Sequence, residues 1–268
     1  MLRRAVVVAL LALPPVAAAP VPSPAQTPVL DRIVRSGEIR VALSGTQPPY
    51  NALNKRGVLM GLDVDLAGRI ADALGVEVRF VTRPFPLLLD TLASDEADIV
   101  MSGLTITPER NREFAFAGPY ALSGRALLTR KRELAEVRDP SEINVPGLRL
   151  VTLEDSTSQL YAERRLSRAT VTTVASYDAA ILKVLDDEAD AMVADQQACA
   201  MAVLRFPGEG LEASPEPLTV EPIGIALQPD LLLLNLLENF LSALETAGVL
   251  GELREKWLED GSWVAALP

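Results

Sequence analysis

The 268-residue chain carries 25 Lys+Arg, 36 Asp+Glu, no His and one Cys, a formal net charge of -11. The missing imidazole excludes Ser/His/Asp and Cys/His catalysis and any His-ligated metal site. One Cys excludes an intramolecular disulfide, a zinc ribbon and a CxxC pair, and the acidity argues against nucleic-acid binding, which rests on Lys and Arg neutralising phosphates.

Length suits one or two domains, and 49% apolar against 23% charged residues suits a globular core. Arg3 and Arg4 precede the apolar run Ala5–Leu13, and small residues follow at Val16-Ala17-Ala18 or Ser23-Pro24-Ala25. This is the layout of a secretory signal peptide over residues 1–25. The apolar run is too short to span a bilayer, and Pro14-Pro15 break a buried helix. No Cys follows the run for a lipid anchor. The expectation is a soluble, exported, periplasmic protein.

Asp31–Gly37 reads as a short helix, Ile39–Leu43 as a strand, and Gly45–Tyr50 as a loop because of Pro48-Pro49. A helix follows to about Leu74, with Leu66, Ile70, Ala73 and Leu74 at helical spacing and Gly75 as its stop. Val76–Val81 is a strand, Leu87–Ser94 a helix and Ala97–Met101 a strand. The order strand, helix, strand, helix, strand implies an α/β unit with a largely parallel sheet. Leu122–Lys131 reads as one strand, and a second series begins after it. Its elements are the strand Leu148–Thr152, helix Ser158–Leu166, strand Thr170–Val174, helix Asp178–Asp187, strand Ala191–Val193 and helix Gln196–Leu204. Pro207–Pro217 reads as an exposed connection and Ile223–Leu227 as a strand. Helices Leu231–Ala247 and Val249–Leu258 are split by Gly248. The two halves share a pattern, a helix then Asp-Glu-Ala-Asp then an apolar strand, at Asp95–Asp98 and at Asp187–Asp190. Two similar α/β lobes place a cleft between them, a common ligand site.

Three segments carry a resemblance: Gly61-Leu62-Asp63-Val64-Asp65-Leu66; Ala97 through Arg110 (ADIVMSGLTITPER); and Ala189 through Asp195 (ADAMVAD). In this order they resemble the family 3 extracellular solute-binding proteins, the polar-amino-acid receptors of ABC importers, from about Leu30 to Trp257. The resemblance implies the periplasmic-binding-protein type II fold, two α/β lobes joined by two crossing hinge strands. Lobe 1 would span 28–121 completed by 218–268, and lobe 2 would span 122–217. It also implies a monomer that binds a small molecule, an amino acid by expectation. Membrane permease subunits would be its partner, with no cofactor, metal or nucleic acid.

The same resemblance assigns ligand contacts. Arg110 would pair with the ligand α-carboxylate, since a planar guanidinium matches two carboxylate oxygens with parallel N–H bonds. The alternative is a solvated arginine paired with Glu109 or Glu113. Ser102, Gly103 and Thr105 would complete the contacts, Gly103 by close backbone approach, against the alternative of an ordinary loop capped by Thr105. Asp195 would accept the ligand ammonium, or else cap the helix beginning at Gln196. Thr157 lies in the Asp155-Ser156-Thr157-Ser158 loop at a helix N-terminus, which suits an anion. There Asp155 replaces the family's usual Gly, and Ser156 or Asp155 could simply cap. Gln47 stands where the family usually stacks an aromatic ring, which disfavours a stacked guanidinium ligand and leaves a polar or small side chain. Tyr50 is retained beside it, and Phe85 would line the opposite wall or belong to the core. Cys199 reads as buried and inert, and Trp257 and Trp263 as packing residues.

A second reading is enzymatic. Asp31-Arg32-Ile33, Ser36-Gly37 and Met101-Ser102-Gly103 also resemble the cyclohexadienyl (prephenate/arogenate) dehydratases, whose chemistry needs a general acid. Where that acid is expected the chain reads Pro222-Ile223-Gly224-Ile225-Ala226, with Glu221 nearby but out of register.

Overall fold

The computed structural model describes residues 28–268; the signal peptide expected over 1–25 lies outside the described residues. In chain order the first part holds α1 (Pro28–Ser36), β1 (Glu38–Leu43), a small sheet of β2 (Thr46–Gln47), β3 (Asn51–Leu53) and β4 (Leu59–Met60), then α2 (Leu62–Leu74), β5 (Glu77–Thr82), α3 (Leu88–Ala93), β6 (Ile99–Val100) and β7 (Ala115–Ser123). The second part holds β8 (Arg125–Thr129), α4 (Arg132–Ala135), β9 (Arg149–Leu153), α5 (Thr157–Arg165), β10 (Thr170–Val174), α6 (Tyr177–Leu185), β11 (Ala191–Asp195), α7 (Gln196–Arg205) and β12 (Glu212–Ala213). The chain then returns through β13 (Glu221–Leu227), α8 (Leu231–Thr246) and α9 (Val249–Arg254).

Two five-stranded sheets result, ordered β5-β1-β6-β13-β7 and β10-β9-β11-β8-β12. In each, a central strand pairs in parallel with neighbours on both sides, β1 with β5 and β6, and β9 with β10 and β11. Two antiparallel pairings complete each sheet, around one reversed strand, β13 in the first and β8 in the second. Side-chain alternation buries both faces. Ile39, Val41, Ile99 and Ile225 pack against Leu66 and Ile70 of α2 and Leu233 and Leu237 of α8. Ala42 and Val100 face the opposite side with Leu88 and Leu92. In the second sheet Ala191 and Val193 face Ala162 and Leu166, while Met192 and Ala194 join Ala180 and Val184. This last apolar cluster is continuous with Ala42 and Leu92, so the lobes are packed together.

Four details differ from the sequence expectation. The loop before Pro48-Pro49 contains the strand β2, because the prolines occupy the turn and leave Thr46 and Gln47 free to pair with Ala52 and Asn51. The expected single strand Leu122–Lys131 is two strands, β7 from Ala115 and β8 to Thr129, interrupted at Gly124. There the two connections between the sheets cross. A Cβ on Gly124 would sit 1.9 Å from the Thr219 carbonyl oxygen, so no side chain fits. The Pro207–Pro217 connection is not wholly exposed: Leu211 and Ser214 are buried, and Glu212–Ala213 pairs with β8. The last helix ends at Arg254, and a π-helical turn over Glu255–Glu259 follows.

The Asp-Glu-Ala-Asp repeat has a structural counterpart. Asp98 accepts the Arg40 backbone N–H at 2.7 Å and its Nη2 at 2.8 Å, and Asp190 accepts the Arg149 backbone N–H at 2.7 Å and its Nη2 at 2.8 Å. Both arginines also donate to a backbone carbonyl, that of Asp95 and that of Asp187. Those two aspartates have positive φ, 57° and 60°, where the preceding helices end. Each lobe thus uses the same clamp to fix its central strand to the adjacent one.

Residues near the C-terminus join the two lobes. Lys55 donates to the Ala266 carbonyl from its backbone at 2.9 Å, and Arg205 of α7 donates to the Pro268 carbonyl at 3.1 Å. Val264 and Leu267 pack between Ala52 and Met201. Trp257 and Trp263 pack with ring centroids 5.3 Å apart, and Trp257 Nε1 donates to Asp65.

Candidate functional site

The carboxyl ends of the parallel strands in both sheets meet at one interlobe crevice, the location that open α/β sheets favour for ligands. Segments leaving β6 and β9 deliver Thr105 and Thr157, and β11 ends on Asp195. Thr105 and Thr157, from opposite lobes, stand 3.3 Å apart at their hydroxyls.

Arg125 lies at the centre, with its side chain only 1% exposed. Its Nε donates to Glu221 Oε1 at 2.8 Å, and its Nη1 to Asp195 Oδ1 at 2.7 Å and Ser158 Oγ at 2.8 Å. Its Nη2 donates to Thr105 Oγ1 at 3.2 Å and also to Thr157 Oγ1 and Glu221 Oε2. Burial opposes this charge, but Asp195 and Glu221 outweigh it and hold the guanidinium above its ordinary range. Glu221 accepts in addition from Thr105 at 3.1 Å and Thr219 at 3.1 Å. The side chain expected to be out of register therefore points into the crevice, from the start of β13.

Asp195 precedes α7 but makes no side-chain cap there. Its carboxylate instead accepts from Arg125, from Tyr177 Oη at 2.7 Å and from Ser123 Oγ at 3.3 Å. Arg110 pairs with neither Glu109 nor Glu113; its Nη1 donates to the Thr105 carbonyl at 2.9 Å. Burial, then the nearby Arg125 charge, lowers its guanidinium to about 10. Ser156 caps α5 by accepting from Gln159 N–H at 3.1 Å. Asp155 adopts the left-handed region at φ 53°, a conformation glycine holds without strain.

Ser102 and Gly103 are engaged inside lobe 1. Ser102 Oγ accepts from the Ser44 N–H and the Asn51 amide, and the Gly103 N–H donates to Asp63 at 3.0 Å. Asp63 also accepts from Tyr120 Oη at 2.6 Å and Asn51 at 2.9 Å, and burial raises its carboxyl to about 6. Gln47 and Tyr50 are both buried, and Gln47 Nε2 and Tyr50 Oη have no hydrogen-bond partner among the described residues. The Tyr50 phenol is raised by burial and secondarily by the Asp195 charge, and its ring lies against Gly103. Phe85 is buried in the apolar cluster with Val81 and Leu88. Cys199 is buried, and its thiol is pushed up by that burial.

The structure thus brings together Thr105, Arg110, Thr157 and Asp195, with Tyr50 beside them, and keeps Ser102 and Gly103 in the wall behind. Sequence reasoning passed over Arg125, Ser158, Tyr177 and Thr219. A signal for Arg125 existed: it is a lone charge opening the apolar run Ala126-Leu127-Leu128 directly after a glycine. The crevice opens through a groove of about 320 Å³ lined by Thr105, Thr157, Tyr161, Arg164 and Glu221. A larger depression of about 770 Å³ lies between β7 and α8, away from these converging polar groups.

Comparison with known proteins gives the relationship. The chain is 29% identical over 235 residues to a cyclohexadienyl dehydratase of Pseudomonas aeruginosa, covering 88% of each. It is 25% identical to the ABC transporter arginine-binding protein 1 of Escherichia coli, covering 82% of this chain and 90% of that one. Among solved structures, a putative ABC-transporter binding component from Wolinella succinogenes, complexed with lysine, matches with TM-score 0.79 and 33% identity, covering 85% and 99%. An ancestral amino-acid-binding protein described as a precursor of cyclohexadienyl dehydratase matches with TM-score 0.79 and 32% identity, covering 86% and 99%. A profile of the bacterial extracellular solute-binding proteins, family 3, matches residues 39–260. With its type II periplasmic-binding fold, the chain belongs to family 3 of the bacterial extracellular solute-binding proteins.

Proposed function

We propose that the protein captures an amino acid, or a similar small zwitterion, between its lobes in the periplasm and delivers it to the permease of an ABC importer. The observation that carries this reading is the convergence of Arg110, Thr105, Thr157 and Asp195, from both lobes, on one buried crevice. Arg110 has its Nε and Nη2 without partners among the described residues, which suits a ligand carboxylate. The buried, unpartnered Gln47 Nε2 and Tyr50 Oη support a polar ligand, since buried polar groups are rarely left without partners. A ligand that contacts both lobes favours the closed arrangement, the change a permease reads. Calorimetry on refolded, ligand-free protein against the common amino acids tests the reading: one should bind, and Arg110→Ala should abolish that binding. No heat from any α-amino acid would sink it.

The dehydratase reading is favoured by one observation, the Glu221 carboxyl inside the crevice beside Thr105 and Thr157. Against it, Arg125 engages both oxygens of Glu221. A general acid has to donate a proton. Incubation with prephenate, followed by ultraviolet detection of phenylpyruvate, separates the two readings. Turnover that is lost in Glu221→Gln would establish the enzyme.

A further inference from the structure

The acceptors of the interlobe crevice are already filled by a cation of the chain itself. A guanidinium has five N–H groups in a fixed fork, and Arg125 places them on six acceptors: both oxygens of Glu221, one of Asp195, and the hydroxyls of Ser158, Thr105 and Thr157. Thr105, Thr157 and Asp195 are three of the side chains that the amino-acid reading gives to the ligand. Chemically, the Arg125 head is a guanidinium seated in a cradle of two carboxylates and three hydroxyls, delivered from β8.

We propose that Arg125 fills a guanidinium site in cis and thereby sets the specificity of the crevice: amino acids with cationic side chains are excluded, and those with anionic or uncharged side chains are admitted. This rests on the reading of the crevice as an amino-acid site. Three observations support it. Both acids of the crevice, Asp195 and Glu221, already face Arg125, so neither is left uncompensated for a side-chain cation in addition to the ligand's own α-ammonium. The remaining free capacity is of the donor kind, on Arg110, and donors hold anions. A cationic side chain in the crevice would also stand beside the buried Arg125 and the partly buried Arg110, an unfavourable like-charge contact away from bulk water.

Titration calorimetry of the full chain with L-arginine, L-lysine, L-glutamate and L-glutamine gives the first test. L-arginine and L-lysine should bind at least about tenfold more weakly than the better of the other two. Binding of either cation as tightly as L-glutamate and L-glutamine, or more tightly, overturns the proposal. The second test is the hole left by Arg125→Ala. Millimolar methylguanidinium should raise the melting temperature of that variant and leave the wild type unchanged, because a ligand of the native state alone stabilises it. No upward shift overturns the proposal. Should Arg125→Ala not fold, Arg125→Gln keeps most of the side chain without its charge, and its arginine-to-glutamate affinity ratio should move about tenfold towards arginine; an unchanged ratio overturns the proposal. If no amino acid binds the wild type, the amino-acid reading fails on its own, and the methylguanidinium test still decides the role of Arg125.

Discussion

Arg125 and Asp195 oppose each other directly across the antiparallel β8–β11 pair, and their side chains form an ion pair 2.7 Å long that is almost wholly shielded from water. Removing Asp195 takes away one of the two carboxylates that compensate the buried Arg125 and the acceptor of the buried Tyr177 hydroxyl. Asp195→Ala should therefore destabilise the fold by about 3–5 kcal/mol, measured by urea denaturation. The Glu109–Arg164 pair gives the contrast. It also crosses the lobes, but at 3.8 Å and with both side chains more than 60% exposed. Glu109→Gln should change stability by no more than about 1 kcal/mol. Equal effects of the two substitutions would contradict the assignment of Asp195 to a dry site.

Asp63 gives a pH dependence of defined sign. Burial raises its folded-state value to about 6, above the ordinary carboxylate value of about 4. The native state then holds this proton more tightly than the unfolded chain. The contribution of Asp63 is therefore fully present below about pH 4 and is lost as pH rises through about 6, by roughly 2–3 kcal/mol. Asp190 runs the other way. Its value is held low, first by Arg149, so its contribution is present above about pH 4 and lost in stronger acid. Stability curves of wild type and Asp63→Asn, measured from pH 4 to 7, check this. The variant should lack the falling component over that window, whatever its overall stability.

The two Arg–Asp clamps share geometry but differ in exposure. Arg40 and Arg32 around Asp98 are 16% and 29% exposed, whereas Arg149 and Lys131 around Asp190 are 46% and 44% exposed. Water and salt weaken the second clamp more. Asp98→Asn should cost about 1–3 kcal/mol, with little change in 1 M sodium chloride. Asp190→Asn should cost less, and its effect should shrink in salt. Denaturation of both variants at low and high salt reads the difference.

Gly103 holds φ +57°, and a Cβ there would meet the Tyr50 ring at 2.6 Å. Left-handed backbone costs a residue with a Cβ about 1–2 kcal/mol, and displacing a fully buried ring adds to it. Gly103→Ala should lower the melting temperature by roughly 5 °C or more. It should also weaken ligand binding, since Gly103 and the Tyr50 ring form the wall behind the crevice. A variant with wild-type stability would show that the ring gives way freely.

The fold was legible where one signal dominated. The helix over Leu62–Leu74 and its Gly75 stop, and the strand Thr170–Val174, follow from apolar spacing and turn residues alone. The break of the Leu122–Lys131 run at Gly124 was not legible, because its cause is a long-range backbone contact with Thr219. The same holds for the site. Asp195 was found because its motif marks it. Arg125 was missed because its one local signal, a charge opening an apolar run after a glycine, fits a buried and an exposed arginine alike; its six acceptors come from four separate segments. The Gly-Leu-Asp-Val-Asp motif, read as a family signature, also has physical reasons. Asp63 collects three donors in the wall of the crevice, and Asp65 anchors Trp257.

The crossing at Gly124 has a mechanical consequence. Because the two connections touch there backbone to backbone, their torsions cannot change independently, and they would turn as one axle. Arg125 is the next residue along the chain, so a rotation that parts the lobes would scarcely translate its head. Its attachments to Asp195 and Ser158, on its own lobe, would ride along unbroken, while the link to Thr105 would swing away. The crevice would thus open around a fixed post, and the post, already charged and already paired, would stand in place before any ligand arrives.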